Sequence, residues 1–160
     1  MTGNYKSARQ YYNTDRLPSS HIPQEGGGMS TDLNMKWVLQ TATTTKDPRV
    51  WGQPFWIMLH ISSAHYPHKA SPICAQRTKE FILSLPYILP CEGCSEHAQK
   101  FIDNHTDQLE YITSGRTHLF RFFVNFHNYV NERYGKKIMT EEEAFALYNN
   151  PARVNILQYE

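Results

Sequence analysis

Cysteine is scarce in this chain: three occur in 160 residues, an odd number. That excludes a small scaffold stapled by several disulfides. Long apolar runs are also missing. No window approaches the ~18 residues of a membrane-spanning helix, so no membrane span is expected. The N-terminal stretch MTGNYKSARQYYN has no apolar core of signal-peptide type, which points to a cytoplasmic protein. Neither sign of charge is in excess, with 16 Lys plus Arg against 15 Asp plus Glu. A general nucleic-acid binder would carry a basic surplus, so no nucleic-acid partner is expected. No segment alternates as a strand does, and no internal repeat is visible.

What the chain does have is aromatic residues, at 13%, with ten Tyr, eight Phe and three Trp. Those rings either fill a core or wall a pocket for a flat ligand; composition alone favours the core. Residues 1–49 differ from the remainder. They are rich in Ser, Thr, Asn, Gln and Tyr, and they read as a mostly irregular arm with a short helix over 30–40. The domain proper spans 50–150, and 151–160 form a tail. Within the domain, PFWIMLHISSAHY opens a helix with Pro54 at its first position. Ser71 and Pro72 cap a second helix that buries Ile73, Phe81, Ile82 and Leu85. A third starts at or just before Cys91 and carries Ala98, Phe101 and Ile102. After the polar loop NHTDQLEYITSG, a fourth runs over 116–133 and stops at Gly135. Thr140 and Glu143 form a capping box for a short fifth helix ending near Tyr148. The expected class is all-α: a four-helix bundle with a short fifth helix.

Two of the three cysteines stand in PCEGCSEH, with Cys91 and Cys94 two residues apart. A cysteine in the first helical turn faces backbone N–H groups and the positive end of the helix dipole. Both favour thiolate over thiol. The spacing lets the sulfurs form a readily exchanged disulfide. It would equally supply half of a zinc site, with Cys74 and His60, His97 or His105 as further ligands. Spacing alone leans towards redox chemistry. A thioredoxin-like reductase would need a βαβ pattern around the pair, which the helical reading opposes.

The fourth helix reads FFVNFHNYVNERYGKK. His127 and Asn131 share a face one turn apart, and Asn128 lies three residues before Asn131. Polar groups on an inner helix face need partners, since an unpaired buried amide costs ~1–3 kcal/mol. Beside Phe120 and Phe123, and followed by Lys136 and Lys137, they suit a ligand with a flat ring, hydroxyls and phosphates. No GxGxxG or P-loop is present, so such a ligand would not be held in Rossmann fashion.

Three stretches occur in one order: WIMLH with AHYP, PCEGCSEH, and FHNYVNERYGKK. Together they resemble the Erv/ALR family of FAD-dependent sulfhydryl oxidases, over about residues 51–148. The short, cysteine-poor form is most similar to those of large cytoplasmic DNA viruses. The resemblance implies FAD bound among the helices. It implies that Trp56, His60, Tyr66 and His97 contact the flavin nucleotide, and that His127, Asn128 and Asn131 line its adenine and ribose side. Lys136 or Lys137 would reach phosphate. Cys94 would be the flavin-proximal cysteine and Cys91 the outer one, met by substrate thiolate. The implied partners are protein thiols or a thioredoxin-like carrier, with O2 as acceptor and hydrogen peroxide as product. A homodimer in the host cytoplasm or virion is expected, and no metal site. The cellular members carry further cysteine pairs, one in a flexible arm. None exists here, so substrate thiols are expected to meet Cys91 directly.

Overall fold

The computed structural model describes residues 44–150. The short helix expected over 30–40 lies outside them. Six helices follow one another: α1 Pro48–Ala64, α2 Pro72–Ile88, α3 Glu92–Asp103, α4 Leu109–Ile112, α5 Arg116–Arg133 and α6 Glu141–Tyr148. No strand occurs among the described residues, as expected. Four long helices form the bundle and α6 closes one side of it.

Local chemistry sets the helix ends. Asp47 caps α1 by accepting from the Arg49 N–H at 2.9 Å, with Pro48 at the first helical position. The helix therefore starts before Pro54, where the sequence suggested it begins, and Pro54 lies inside it. Both prolines carry a helix-start signal, but only Pro48 follows a capping side chain. Ser71 and Pro72 open α2 as expected. That helix ends at Leu89, whose extended ψ of 127° is what a following proline imposes. Pro90 has no N–H to return to the Pro86 carbonyl. The buried Ser95 hydroxyl donates to that carbonyl instead, at 2.6 Å, and so ties the start of α3 to the end of α2. Gly135 takes φ +61° directly after α5, and the Thr140–Glu143 capping box is complete.

The loop NHTDQLEYITSG is more ordered than its polarity suggests. It holds a 3-10 turn, Thr106–Gln108, and then α4, a single turn whose Leu109 and Ile112 are buried against α2 and α5. Three residues apart, these two apolar side chains face one way, which is enough for one docked turn. The next loop approaches the one after α1 closely. Arg116 N donates to Pro67 O and Ala70 N to Ser114 O, each at 2.9 Å. A Cβ on Gly115 would run into the His68 carbonyl.

α5 is the centre of the molecule, packed by α1, α3, α4 and α6, while α2 rests on α3 and α4. Phe101 of α3 stacks on Phe126 of α5 at 4.9 Å, among Leu59, Ile82, Leu85 and Ile102. Two residues expected in the core are not there: Ile73 is 63% exposed and Phe81 36% exposed. α2 is covered by α3 and α4 only on the side of Ile82 and Leu85. No helix among the described residues is long and apolar enough to cross a membrane.

Candidate active site

Cys91 is the N-cap of α3, and its Sγ accepts from the Cys94 backbone N–H at 3.3 Å. The Cys91 carbonyl accepts from the N–H groups of Cys94 and Ser95. The two cysteines are joined as a disulfide, with Cα atoms 5.1 Å apart. Both are partly buried. Cys74 is a free, partly buried thiol.

Behind the disulfide lies a pocket of about 530 Å³, walled by α1, α3, α5 and α6. Cys94 lines it and Cys91 does not. Trp56, His97, His127, Asn131 and Lys136 line it as well. The Trp56 indole stacks on the His127 imidazole with ring centres 4.2 Å apart and planes 6° from parallel. His97 stacks on Tyr129 at 4.1 Å, and its Nε2 is buried with no hydrogen-bond partner. The wall is mostly apolar and aromatic, as a site for a flat ligand requires. It also holds three cations, Arg49, Arg133 and Lys136, and no carboxylate. Arg49 is paired with Asp47 outside the wall, while Arg133 and Lys136 lie beside the Tyr134 ring. A ring-bearing anion with phosphates matches this set of groups. FAD fits it, and the unpartnered His97 nitrogen leaves room on that wall for a further polar contact.

The other expected ligands lie elsewhere. His60 is fully buried behind the wall, with Nε2 3.0 Å from His127 Nδ1. Tyr66 is buried at the far end of α1, where its hydroxyl donates to the Thr113 carbonyl at 3.0 Å. Asn128 is spent on the backbone: its Nδ2 donates to Met139 O at 2.8 Å, and Met139 N donates to its Oδ1 at 3.1 Å. Lys137 is exposed and pairs with Glu143 at 3.0 Å. One-turn spacing places two side chains on a common face but does not say whether that face meets a cavity or a neighbouring segment. Asn128→Ala should therefore cost about 1–3 kcal/mol of stability. It should weaken ligand binding less than Asn131→Ala does, and a larger binding defect in Asn128→Ala would refute this division of roles.

Among the wall residues that were not anticipated, Arg49, Arg133, Tyr134 and Tyr148 carry polar groups suited to a ligand. Arg133 and Tyr134 had a local signal, lying two and three residues after Asn131 in the same motif. Arg133 also reaches the cysteine pair. Its Nη1 donates to the Gly93 carbonyl at 3.3 Å, so it links the end of α5 to the turn between the cysteines.

Burial lowers His60 to about 3, with His127 adding to the effect, and lowers His127 to about 4, with Lys136 adding. Burial also lowers His97, helped by the Arg133 and Lys100 cations. In the unfolded chain histidine titrates near ~6.5. The stability held by a neutral His60–His127 pair is thus full above that value and is lost as pH falls towards the folded values. Between neutrality and about pH 5 the ligand-free domain should lose about 2–4 kcal/mol, read from urea midpoints. A midpoint that ignores pH across that window would disprove the neutral pair.

A redox-capable cysteine pair opening onto a cation-bearing, aromatic pocket within a helical bundle defines a class of thiol–disulfide proteins with a ring-bearing ligand. The Erv1/Alr family model matches residues 53–149, which include all three motifs, and the chain belongs to that family. It is 36% identical over 104 residues to 347L of Invertebrate iridescent virus 6, named as an FAD-linked sulfhydryl oxidase, covering 63% of this chain and 94% of that one. It is 39% identical over 105 residues to 096R of Invertebrate iridescent virus 3, similarly named, covering 66% and 70%. The crystal structure of the yeast Erv1 core superposes with a TM-score of 0.61 at 22% identity, covering 82% of this chain and 98% of that one. That likeness establishes the fold.

Proposed function

We propose that the chain is an FAD-linked sulfhydryl oxidase, with residues 50–150 as the oxidase unit. The observation that carries this is the asymmetry of the cysteine pair. Cys94 lines the cation-bearing pocket, while Cys91 caps α3 outside it.

A substrate thiolate attacks Cys91 Sγ, forming a mixed disulfide and breaking the Cys91–Cys94 bond. Cys94 leaves as thiolate. A second substrate thiolate attacks the substrate sulfur of the mixed disulfide and releases Cys91 as thiolate. The substrate thiols lose two electrons and two protons; the cysteine pair gains the electrons and solvent takes the protons. The Cys94 N–H facing Cys91 Sγ, and the start of α3 behind it, stabilise the departing Cys91 thiolate. Bound FAD would supply a two-electron acceptor for the Cys91–Cys94 dithiol, with O2 as the final acceptor and hydrogen peroxide, completed by two protons from solvent, as the product. Trp56 and His127 would offer it a stacked face, Arg133 and Lys136 would offset its phosphate charge, and the unpartnered His97 Nε2 would give a polar contact.

Protein thiols, or a thioredoxin-like carrier, are the proposed electron donors, and the host cytoplasm is the proposed setting, supported by the viral relatives. The zinc alternative is not carried further: no three His, Cys, Asp or Glu groups converge among the described residues. The test is direct. The purified full chain should show flavin absorption and consume oxygen with dithiothreitol. Colourless protein that neither binds added FAD nor consumes oxygen would refute the reading.

The proposed assembly is a homodimer through α2. Ile73, Phe81 and Ile88 are exposed at 63%, 36% and 61%, and helical spacing puts them on one face. Sedimentation at micromolar concentration should show a dimer, and Ile73→Glu with Ile88→Glu should yield monomers. A monomeric wild type would end the proposal.

A further inference from the structure

His60 and His127 approach each other through one nitrogen each, Nε2 of the first and Nδ1 of the second, 3.0 Å apart. One of them carries the proton. His60 is held from the other side by Tyr148, whose ring stacks on it at 4.2 Å and 13°. His127 is held by Trp56. A half-turn of either ring would keep its stack but put a carbon where the contacting nitrogen stands and break the hydrogen bond. With that contact in place, only the tautomer is left to settle.

The remaining nitrogen of His60 settles it. Nδ1 is buried and has no partner. If His127 donated to His60, the neutral His60 ring would carry its proton on Nδ1, as a buried N–H with no acceptor. Orphaned buried N–H groups are rarer than under-satisfied acceptors. With His60 donating, Nδ1 is only an unused lone pair. His127 then accepts at Nδ1 and keeps its own proton on Nε2. Its Nδ1 is turned back to His60, so Nε2 is the ring nitrogen left for the pocket that His127 lines. Burial keeps both rings neutral, so neither can donate from both nitrogens.

We propose that His60 is a positioning residue: it does not touch the pocket's ligand but fixes the tautomer of His127, so that His127 presents an Nε2–H donor to it. The ligand atom it suits is an acceptor, a phosphate or hydroxyl oxygen or a ring nitrogen. Lys136, on the same wall, carries three donors and no acceptor, and together the two favour an anionic acceptor. The identity of that ligand rests on the FAD reading above; the tautomer does not.

The test has two arms. Long-range proton–nitrogen correlation spectra of the 15N-labelled full chain at neutral pH, freed of cofactor, should show His60 and His127 both as Nε2–H tautomers. An Nδ1–H His127, or imidazolium rings, would overturn the proposal. In the second arm FAD affinity is measured by fluorescence titration for His60→Phe and His60→Gln. The Gln amide can place an N–H where His60 Nε2 stands, whereas Phe fills the space without a donor. Binding should weaken about tenfold in His60→Phe and largely recover in His60→Gln. Equal losses in both would mean that His60 only fills space, and would overturn the proposal. If His60→Phe does not fold, the wild-type spectra still decide. If the wild type binds no FAD yet shows the stated tautomers, the tautomer set by His60 stands and the flavin reading falls.

Discussion

Cys94→Ser should reduce dithiothreitol-driven oxygen consumption to about 1% of wild type or less, and Cys91→Ser should do the same. Each removes half of the bond that a substrate thiolate must break. Without Cys94 no leaving group connects the surface to the pocket; without Cys91 no sulfur sits at the α3 N-terminus to be attacked. Cys74→Ser should keep most of the activity, because Cys74 is a free thiol on α2, partly buried against the core. The two essential cysteines should also differ from each other. In Cys94→Ser the remaining Cys91 thiol still faces the backbone N–H of residue 94 and stands outside the pocket, so it should react quickly with an aromatic disulfide reagent. In Cys91→Ser the remaining Cys94 thiol faces the pocket, and added FAD should slow its reaction. If Cys74→Ser were equally inactive, or if FAD protected Cys91 rather than Cys94, the assignment of outer and inner cysteine would be wrong.

The parts of this site that could be read from the sequence are the ones encoded within a few residues. Ser71 with Pro72, Cys91 at a helix start, Thr140 with Glu143, and Gly135 after α5 are short-range devices, and the structure shows each at its expected place. The start of α1 escaped because Pro54 carries the same signal as Pro48, and only the Asp47 side chain distinguishes them. α4 escaped because its two apolar residues bury only against helices distant in sequence. Similar limits apply to the pocket. Spacing placed His127 and Asn131 on one inner face and the family resemblance added His60 and Asn128, but long-range packing decided that Asn131 meets the cavity, Asn128 meets the Met139 backbone and His60 meets another ring. Tyr148 reaches the wall only because α6 folds back on α1 and α5, a contact with no local pattern in the chain.

Replacing both His127 and Asn131 with Ala should separate the cofactor site from the fold. Both line the pocket from α5, one turn apart, and neither has a strong partner on that side. Asn131 Nδ2 reaches the Lys137 carbonyl only at 3.4 Å, so it can turn to a ligand at little cost. His127 also stacks on Trp56, so its removal opens the wall as well as deleting a polar contact. At a free FAD concentration one hundred times the dissociation constant, ligand binding stabilises the wild type by about 2.7 kcal/mol. For a domain of this size that raises the melting temperature by roughly 4–8 °C per kcal/mol. If the double replacement weakens binding tenfold, the same FAD concentration stabilises by only about 1.4 kcal/mol. The melting shift should therefore fall by about half or more, and higher FAD should restore it. The melting point without FAD should also drop, because the His60–Nε2 partner is gone and Trp56 loses its stacked neighbour. A pocket that served only to pack the core would behave differently: the double replacement would lower the melting point and FAD would shift neither protein. That result, in wild type as well as mutant, would end the flavin reading of α5, whereas a shift in both that is smaller in the mutant would locate FAD against His127 and Asn131.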